Sequence, residues 1–286
     1  VSVYEPAPDI ALALAAKEEF AHAEDLLRAF ARVLPLRDAL RTETKIRRAD
    51  FPRSELEKLF LKGEPVRYHG NFRLGTELLV SHSKGFLDLF TEINSGAWAA
   101  NRDAICRDDF PLAEMFESFV EEKLEPLEKA AEGQPFSLPV LASFLQQVLK
   151  GWFIAFRDAV WPELPMHAWG KGYCPVCASF AAMGERDGEG NRNLFCHLCD
   201  TRYPYPWGEC PICADPAASI KVLELPEKAG YTLALCEKCD CYVKHVDRSR
   251  VPDAPAYPFV DLVTFDIDVL AQKQGYKKPT LSSFGI

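Results

Sequence analysis

Four Cys-x-x-Cys pairs lie close together in this chain: Cys174-Pro-Val-Cys177, Cys196-His-Leu-Cys199, Cys210-Pro-Ile-Cys213 and Cys236-Glu-Lys-Cys239. Two intervening residues let both sulfurs of a tight turn face one ion. Two such turns complete a tetrahedral shell of four sulfurs, which suits zinc or a single rubredoxin-type iron. Disulfides fit less well, because a loop this short staples little of a fold. A thioredoxin-type redox pair usually opens a helix in a βαβ unit, and the pattern has no such unit. A four-iron cluster wants its cysteines in a tighter run.

The spacing also pairs the turns. The stretches 178–195 and 214–235 each fit a strand, a turn and a return strand, whereas the shorter stretch 200–209 fits a linker. The expectation is therefore one site of Cys174, Cys177, Cys196 and Cys199 and a second of Cys210, Cys213, Cys236 and Cys239. Each is read as a mononuclear tetrathiolate. A ribbon of this size buries too little surface to fold alone, so the metal must supply folding energy, on the order of 10 kcal/mol or more.

The ribbons read as strands around these turns. Asn193–Cys196 returns from the polar turn Glu185–Asn191. Ile220–Leu225 alternates and is answered by Tyr231–Leu235 across Pro226–Gly230. Between the ribbons, Tyr203, Tyr205 and Trp207 are either a small core or a recognition surface. Cys241 is a ninth cysteine in this half, a spare thiol beside the metal or an inert strand residue. The residue after each second cysteine needs a positive φ. Those positions are Ala178, Asp200, Ala214 and Asp240, and alanine there costs about 1–2 kcal/mol.

The chain up to Gly170 reads as helix. A helix is expected from a cap at Asp9 to about Val33, with Pro35 as its stop. Another runs from a capping box at Ser54 to Gly63. Further helices are expected over 73–94, after Pro111 through Leu124, and from Ser137 to Val160. The last is apolar most of the way round and so belongs at the centre of a bundle. His22, His69 and His82 lack metal-site spacing, Cys106 reads as a small buried hydrophobe, and neither a phosphate loop nor a nucleophile elbow is present. The bundle is read as a docking platform rather than a catalytic one. A final helix is expected from Pro258 to Gly275.

The fold class is thus α+β. An N-terminal all-helical bundle (1–168) precedes two small rubredoxin-like or zinc-ribbon modules (169–207 and 208–286), the second carrying a C-terminal helix. The formal charge is −9, with 20 Lys and Arg against 27 Asp and Glu up to Gly170, and 13 against 15 beyond it. A ribbon that grips nucleic acid needs a basic face, so nucleic acid is not the expected partner. No apolar run reaches the ~20 residues of a membrane span. The opening stretch from Val1 to Ile10 lacks the basic and apolar regions of a signal peptide, and a cytoplasmic location is expected.

Taken together, Cys174-Pro-Val-Cys177, Leu194-Phe-Cys-His-Leu-Cys-Asp-Thr201, the aromatic link, Cys236-Glu-Lys-Cys-Asp-Cys-Tyr-Val-Lys244 and the tail with Asp261, Asp266 and Gln274-Gly-Tyr276 resemble the FdhE family of formate dehydrogenase accessory proteins. Ala178 and Asp240-Cys241 depart from that family's pattern. The resemblance implies a non-catalytic, cytoplasmic maturation factor that binds the catalytic subunit of an exported, molybdenum-dependent formate dehydrogenase. It favours iron in both sites, where sulfur chemistry alone allows zinc equally. A rubredoxin-like electron carrier or redox sensor, and more distantly a nucleic-acid-binding zinc ribbon, are the alternatives; a homodimer is compatible with all of them.

Overall fold

A computed structural model describes residues 24–280. The chain folds as two compact units. One is helical and holds Arg28–Arg47 and Arg73–Ala159; the other holds, among the described residues, Glu24–Leu27, Arg48–Phe72 and Val160–Thr280.

The helical unit contains α1 (Glu24–Glu43), α3 (Thr76–Ile93), α4 (Ser95–Ile105), α5 (Leu112–Val120), α6 (Leu124–Ala131) and α7 (Leu138–Val160). As its apolar sequence requires, α7 is the central element: Leu141, Phe144, Leu145, Val148, Leu149, Phe153 and Phe156 are all buried. It is also the one helix among the described residues that is long and apolar enough to cross a membrane by length and composition. With 67% of its apolar window buried within the protein, it has the pattern of a core helix.

Pro35 does not end α1. Losing one backbone hydrogen bond costs less than giving up the contacts of the next two turns: Leu40 is fully buried, Arg37 bonds Gln147, and Arg41 pairs with Asp158 at 2.7 Å. Gly151 on α7 permits this approach, since a Cβ there would stand 2.8 Å from the Arg37 carbonyl. The proposed cap at Asp9 lies outside the described residues. Sequence periodicity missed α4, whose cap is Asn94, and α6, which begins at an exposed Leu124 rather than extending α5. Cys106 is exposed at the end of α4, not buried, because the helix stops there and turns it outward.

The second unit is built on one six-stranded sheet, β1 (Ala181–Arg186), β2 (Arg192–Cys196), β3 (Arg202–Pro204), β4 (Ile220–Glu224), β5 (Tyr231–Cys236) and β6 (Tyr242–Asp247), in the order β3-β2-β1-β6-β5-β4. Each ribbon contributes three antiparallel strands. The parallel pair β1–β6, with Gly184 opposite His245 and Arg186 opposite Asp247, fuses them. Two separate modules without cores were expected. They share one core instead, in which Met183 and Phe195 of the first ribbon join Leu233, Leu235, Tyr242 and Val246 of the second. The terminal helix is two, α8 (Phe259–Val263) and α9 (Phe265–Lys273), which add Val260, Ile267 and Ala271 to that core.

A buried ion network ties these helices to the sheet. Lys244 on β6, 1% exposed, reaches Asp261 at 2.8 Å and Asp268 at 2.6 Å, and Lys278 bonds the same two carboxylates at 3.2 Å. Two cations and two anions cancel, and the carbonyls of Asp261 and Thr264 share the remaining proton of the Lys244 ammonium, which is what buried charges need.

The same unit includes α2 (Arg53–Lys62) and a short turn at Val66–Tyr68. Gly63 closes α2 at φ 72°, with its amide and that of Glu64 returning to Phe60 and Leu59. The capping box does not form: Pro52 takes the cap position and no side chain bonds the first turn.

Candidate metal centres

The eight sulfurs gather into two quartets, Cys174, Cys177, Cys196 and Cys199, and Cys210, Cys213, Cys236 and Cys239, each with its sulfurs within 4.8 Å of one another. Each is able to hold one metal ion. All are free thiols. In the second quartet Cys210–Cys239 and Cys213–Cys236 are both 3.8 Å apart. A tetrahedron with metal–sulfur bonds of about 2.3 Å places its sulfurs about 3.8 Å apart. The first quartet is drawn in slightly, at 3.4 Å for Cys174–Cys199 and 3.3 Å for Cys177–Cys196.

Every knuckle is the same turn. The residue after the second cysteine sends its amide to the first cysteine's carbonyl, from Ala178, Asp200, Ala214 and Asp240, at 3.0–3.2 Å. All four have positive φ, 69°, 55°, 48° and 56°. The strained conformation expected at Ala178 and Ala214 is therefore present. In three knuckles the residue before the second cysteine turns its amide toward the first sulfur: Val176 to Cys174, Leu198 to Cys196 and Ile212 to Cys210, each 3.4 Å.

The electrostatics favour a cation at the centre. Burial pushes the Cys174 and Cys196 thiols well up. Burial acts the same way on Cys177, but hydrogen bonds from the other three sulfurs outweigh it and bring that thiol well down. Ionising all four needs a positive ion, as metal binding to sulfur does. In the second quartet burial raises Cys210 to about 11; on Cys236 burial is again the largest influence, but the amides of Cys239 and Lys238 and bonds from the sulfurs of Cys239 and Cys210 together outweigh it and bring that thiol down.

The quartets differ in cover. Segment 64–68 lies along the first knuckle, with the amides of Val66 and Arg67 bonded to the carbonyls of Pro175 and Val176 at 2.9 Å. Trp169 packs on Phe60 and bonds the Tyr173 carbonyl; the Tyr173 hydroxyl reaches the Gly63 carbonyl at 2.8 Å. All four cysteines beneath are fully buried. In the second quartet Cys213 and Cys239 are partly exposed. Spacing in the sequence could not show that α2, more than a hundred residues upstream, supplies this cover. Its one trace was the aromatic lead-in Trp169–Tyr173.

The aromatic link divides between its two readings: Tyr203 and Tyr205 are buried, and Trp207 is 42% exposed. Tyr203 and Tyr205 donate to the carbonyls of Gly172 and Cys210. Gly172 touches the second ribbon so closely that a Cβ would fall 1.9 Å from the Pro211 carbonyl oxygen. The sequence did not single out Gly172 or Arg192, because neither their spacing nor their type carries a motif; His245, by residue type a possible substitute for a thiolate, instead accepts a hydrogen bond from Arg192 at 2.9 Å.

No family model matches the chain. It is 31% identical over 144 residues to the protein FdhE homolog of Aquifex aeolicus (strain VF5), covering 48% of each chain. In sequence the chain resembles FdhE proteins. Protein FdhE of Escherichia coli (strain K12) is 27% identical over 120 residues, which is 40% of this chain and 38% of that one. The chain thus matches about half the length, or less, of these curated FdhE relatives. The fold extends further than the identity: the crystal structure of the FdhE protein from Pseudomonas aeruginosa superposes over 96% of this chain and 95% of its own, with a TM-score of 0.61 at 20% identity.

Proposed function

We propose that the chain is a non-enzymatic accessory protein that matures a molybdenum-dependent formate dehydrogenase by binding its catalytic subunit in the cytoplasm. In this reading Cys174, Cys177, Cys196 and Cys199 hold one metal ion, and Cys210, Cys213, Cys236 and Cys239 a second. The observation that carries it is the pair of chain-ordered sulfur quartets in a chain similar to FdhE proteins. Each ion balances the charge of four clustered thiolates and so locks a knuckle pair in place. The parallel β1–β6 seam makes the two locks act on one sheet.

The half-open second quartet favours an additional redox reading in the rubredoxin manner if the ion is iron, since zinc has no redox chemistry. Elemental analysis and an absorption spectrum of the freshly purified chain decide between the metals; two ions per chain are expected. In a host lacking its own FdhE, the full chain should restore formate oxidation by the exported enzyme and co-purify with the catalytic subunit. Failure of both restoration and co-purification, in a chain that carries two ions, would overturn the accessory role while leaving the centres intact.

A further inference from the structure

A guanidinium stays charged in proteins, and burying it without an anion is costly unless something offsets the charge. Arg192 on β2 is 4% exposed. Its Nε donates to His245 Nε2 at 2.9 Å, and one terminal nitrogen donates to the carbonyls of Pro206 and Glu209, both at 3.0 Å. Its guanidinium carbon lies 5.5 Å from the centre of the Tyr205 ring and 5.3 Å from that of Trp207. The other terminal nitrogen is buried and has no hydrogen-bond partner.

None of these contacts is an anion. His245 is neutral: its Nδ1 lies 3.1 Å from the Val243 carbonyl, so that nitrogen carries the proton and Nε2 accepts from Arg192. The nearby acids have other partners, Glu185 with Arg202 and Arg248, and Asp247 with Arg186. Glu209 is an exposed residue and meets the guanidinium through its carbonyl. Three cysteines lie around the same small space as Arg192. That void, of about 10 Å³, is lined by Cys210, Cys236 and Cys241, two of which belong to the second quartet.

We propose that Arg192 is the counter-charge of the second sulfur quartet. Four thiolates around a divalent ion carry a formal charge of about −2, and this is the anion that the buried guanidinium lacks. The same side chain holds the Glu209 carbonyl, one residue before Cys210, so charge and position are supplied together. Both quartets receive knuckle amides, from Val176 and Leu198 in the first and Ile212 in the second; the first has in addition the Thr201 hydroxyl 2.9 Å from Cys199. Arg192 is thus a positioning residue that makes the two centres electrostatically unequal.

This inference rests on the metal reading above, and the test separates them. The full-length chain is loaded with cobalt(II), whose thiolate charge-transfer bands count the occupied centres, and challenged with a chelator. Arg192→Met and Arg192→Gln remove the charge; Arg192→Lys keeps it. Both neutral variants should keep the first ion and bind the second about 10–100-fold more weakly, with the lysine variant much closer to wild type. Loaded with iron, the neutral variants should also show a lowered reduction potential at the second centre, because a nearby cation favours the more negative, reduced form. A lysine variant as impaired as the neutral ones would reduce Arg192 to a packing role and overturn the proposal. So would unchanged second-ion affinity, or equal loss at both centres. A wild-type chain that takes up fewer than two ions overturns the metal reading itself, and this inference with it.

Discussion

The first quartet lies under segment 64–68 and Trp169 with every cysteine buried, whereas the second leaves Cys213 and Cys239 partly open. The knuckles themselves are the same turn, with the same amide return and the same positive φ. What differs is what was built around them. Aromatic cover, segment 64–68 and the Thr201 hydroxyl close the first; the second borders a small void shared with the buried Arg192, has Lys277 bridged to Cys241 beside it, and opens partly to solvent. Identical local chemistry therefore yields one centre suited to holding structure and one accessible to exchange.

The hardest test of this contrast removes sulfurs. Cys177→Ser with Cys196→Ser is expected to prevent the sheet unit from folding, since structural metal contributes on the order of 10 kcal/mol. Cys213→Ser with Cys239→Ser should cost one ion and less of the fold. Near-ultraviolet circular dichroism and metal counting distinguish them, and a chelator should strip the second centre of the wild type first. Equal stripping rates would erase the distinction.

A smaller effect is expected from Lys244→Met. It leaves Asp261 and Asp268 buried with Lys278 alone, at a cost of about 3–5 kcal/mol. Lys278 follows Lys277, whose amide holds the Asp240 carbonyl at 2.7 Å. The second ion should therefore loosen before the first, as read by chemical denaturation and metal retention.

Gly172→Ala tests the seam between the centres. Its Cβ has no room against the Pro211 backbone, and overpacking of this kind costs about 1–3 kcal/mol. Both centres should weaken together in thermal unfolding, in contrast to the one-sided effects above.

The pH profile tests the same seam from the side of His245. Burial, and then the adjacent Arg192, push its imidazole well below the ordinary value of 6.5. The folded chain keeps it neutral while the unfolded chain takes up a proton. Stability is therefore fully present above about pH 6.5 and falls by about 1.4 kcal/mol per unit below it, down to the folded pKa. His245→Gln should flatten that slope in denaturation curves measured between pH 7 and 5.5.

The smallest effect belongs to the turns. Ala178→Gly and Ala214→Gly relieve left-handed strain of about 1–2 kcal/mol, offset in part by the entropy of glycine. A rise in melting temperature is expected at both positions, and slower ion release with it. Unchanged release would separate backbone strain from metal lability.

The two quartets were legible because a Cys-x-x-Cys turn carries its own geometry, and the stretches 178–195 and 214–235 leave room for a strand pair. The strands at Asn193–Cys196, Ile220–Glu224 and Tyr231–Leu235 were legible for the same reason. β6 was missed, since Tyr242–Asp247 runs through Lys244 and His245 and looks polar; its lysine is buried only because Asp261 and Asp268 await it. Pro35 misled because the penalty of proline is local, whereas the anchors at Arg37 and Leu40 belong to packing against α7.

From its residues alone, the chain determined which sulfurs share a centre, the turn that each knuckle adopts and the helical nature of the chain before them. These depend on near neighbours in sequence and on the fixed reach of a few residues. Only the tertiary structure decided that two ribbons become one sheet, that the segment after α2 covers one centre and that Arg192 is buried beside a void shared with cysteines of the other. Those outcomes depend on contacts between segments separated by tens to more than a hundred residues, for which local sequence carries no distance information.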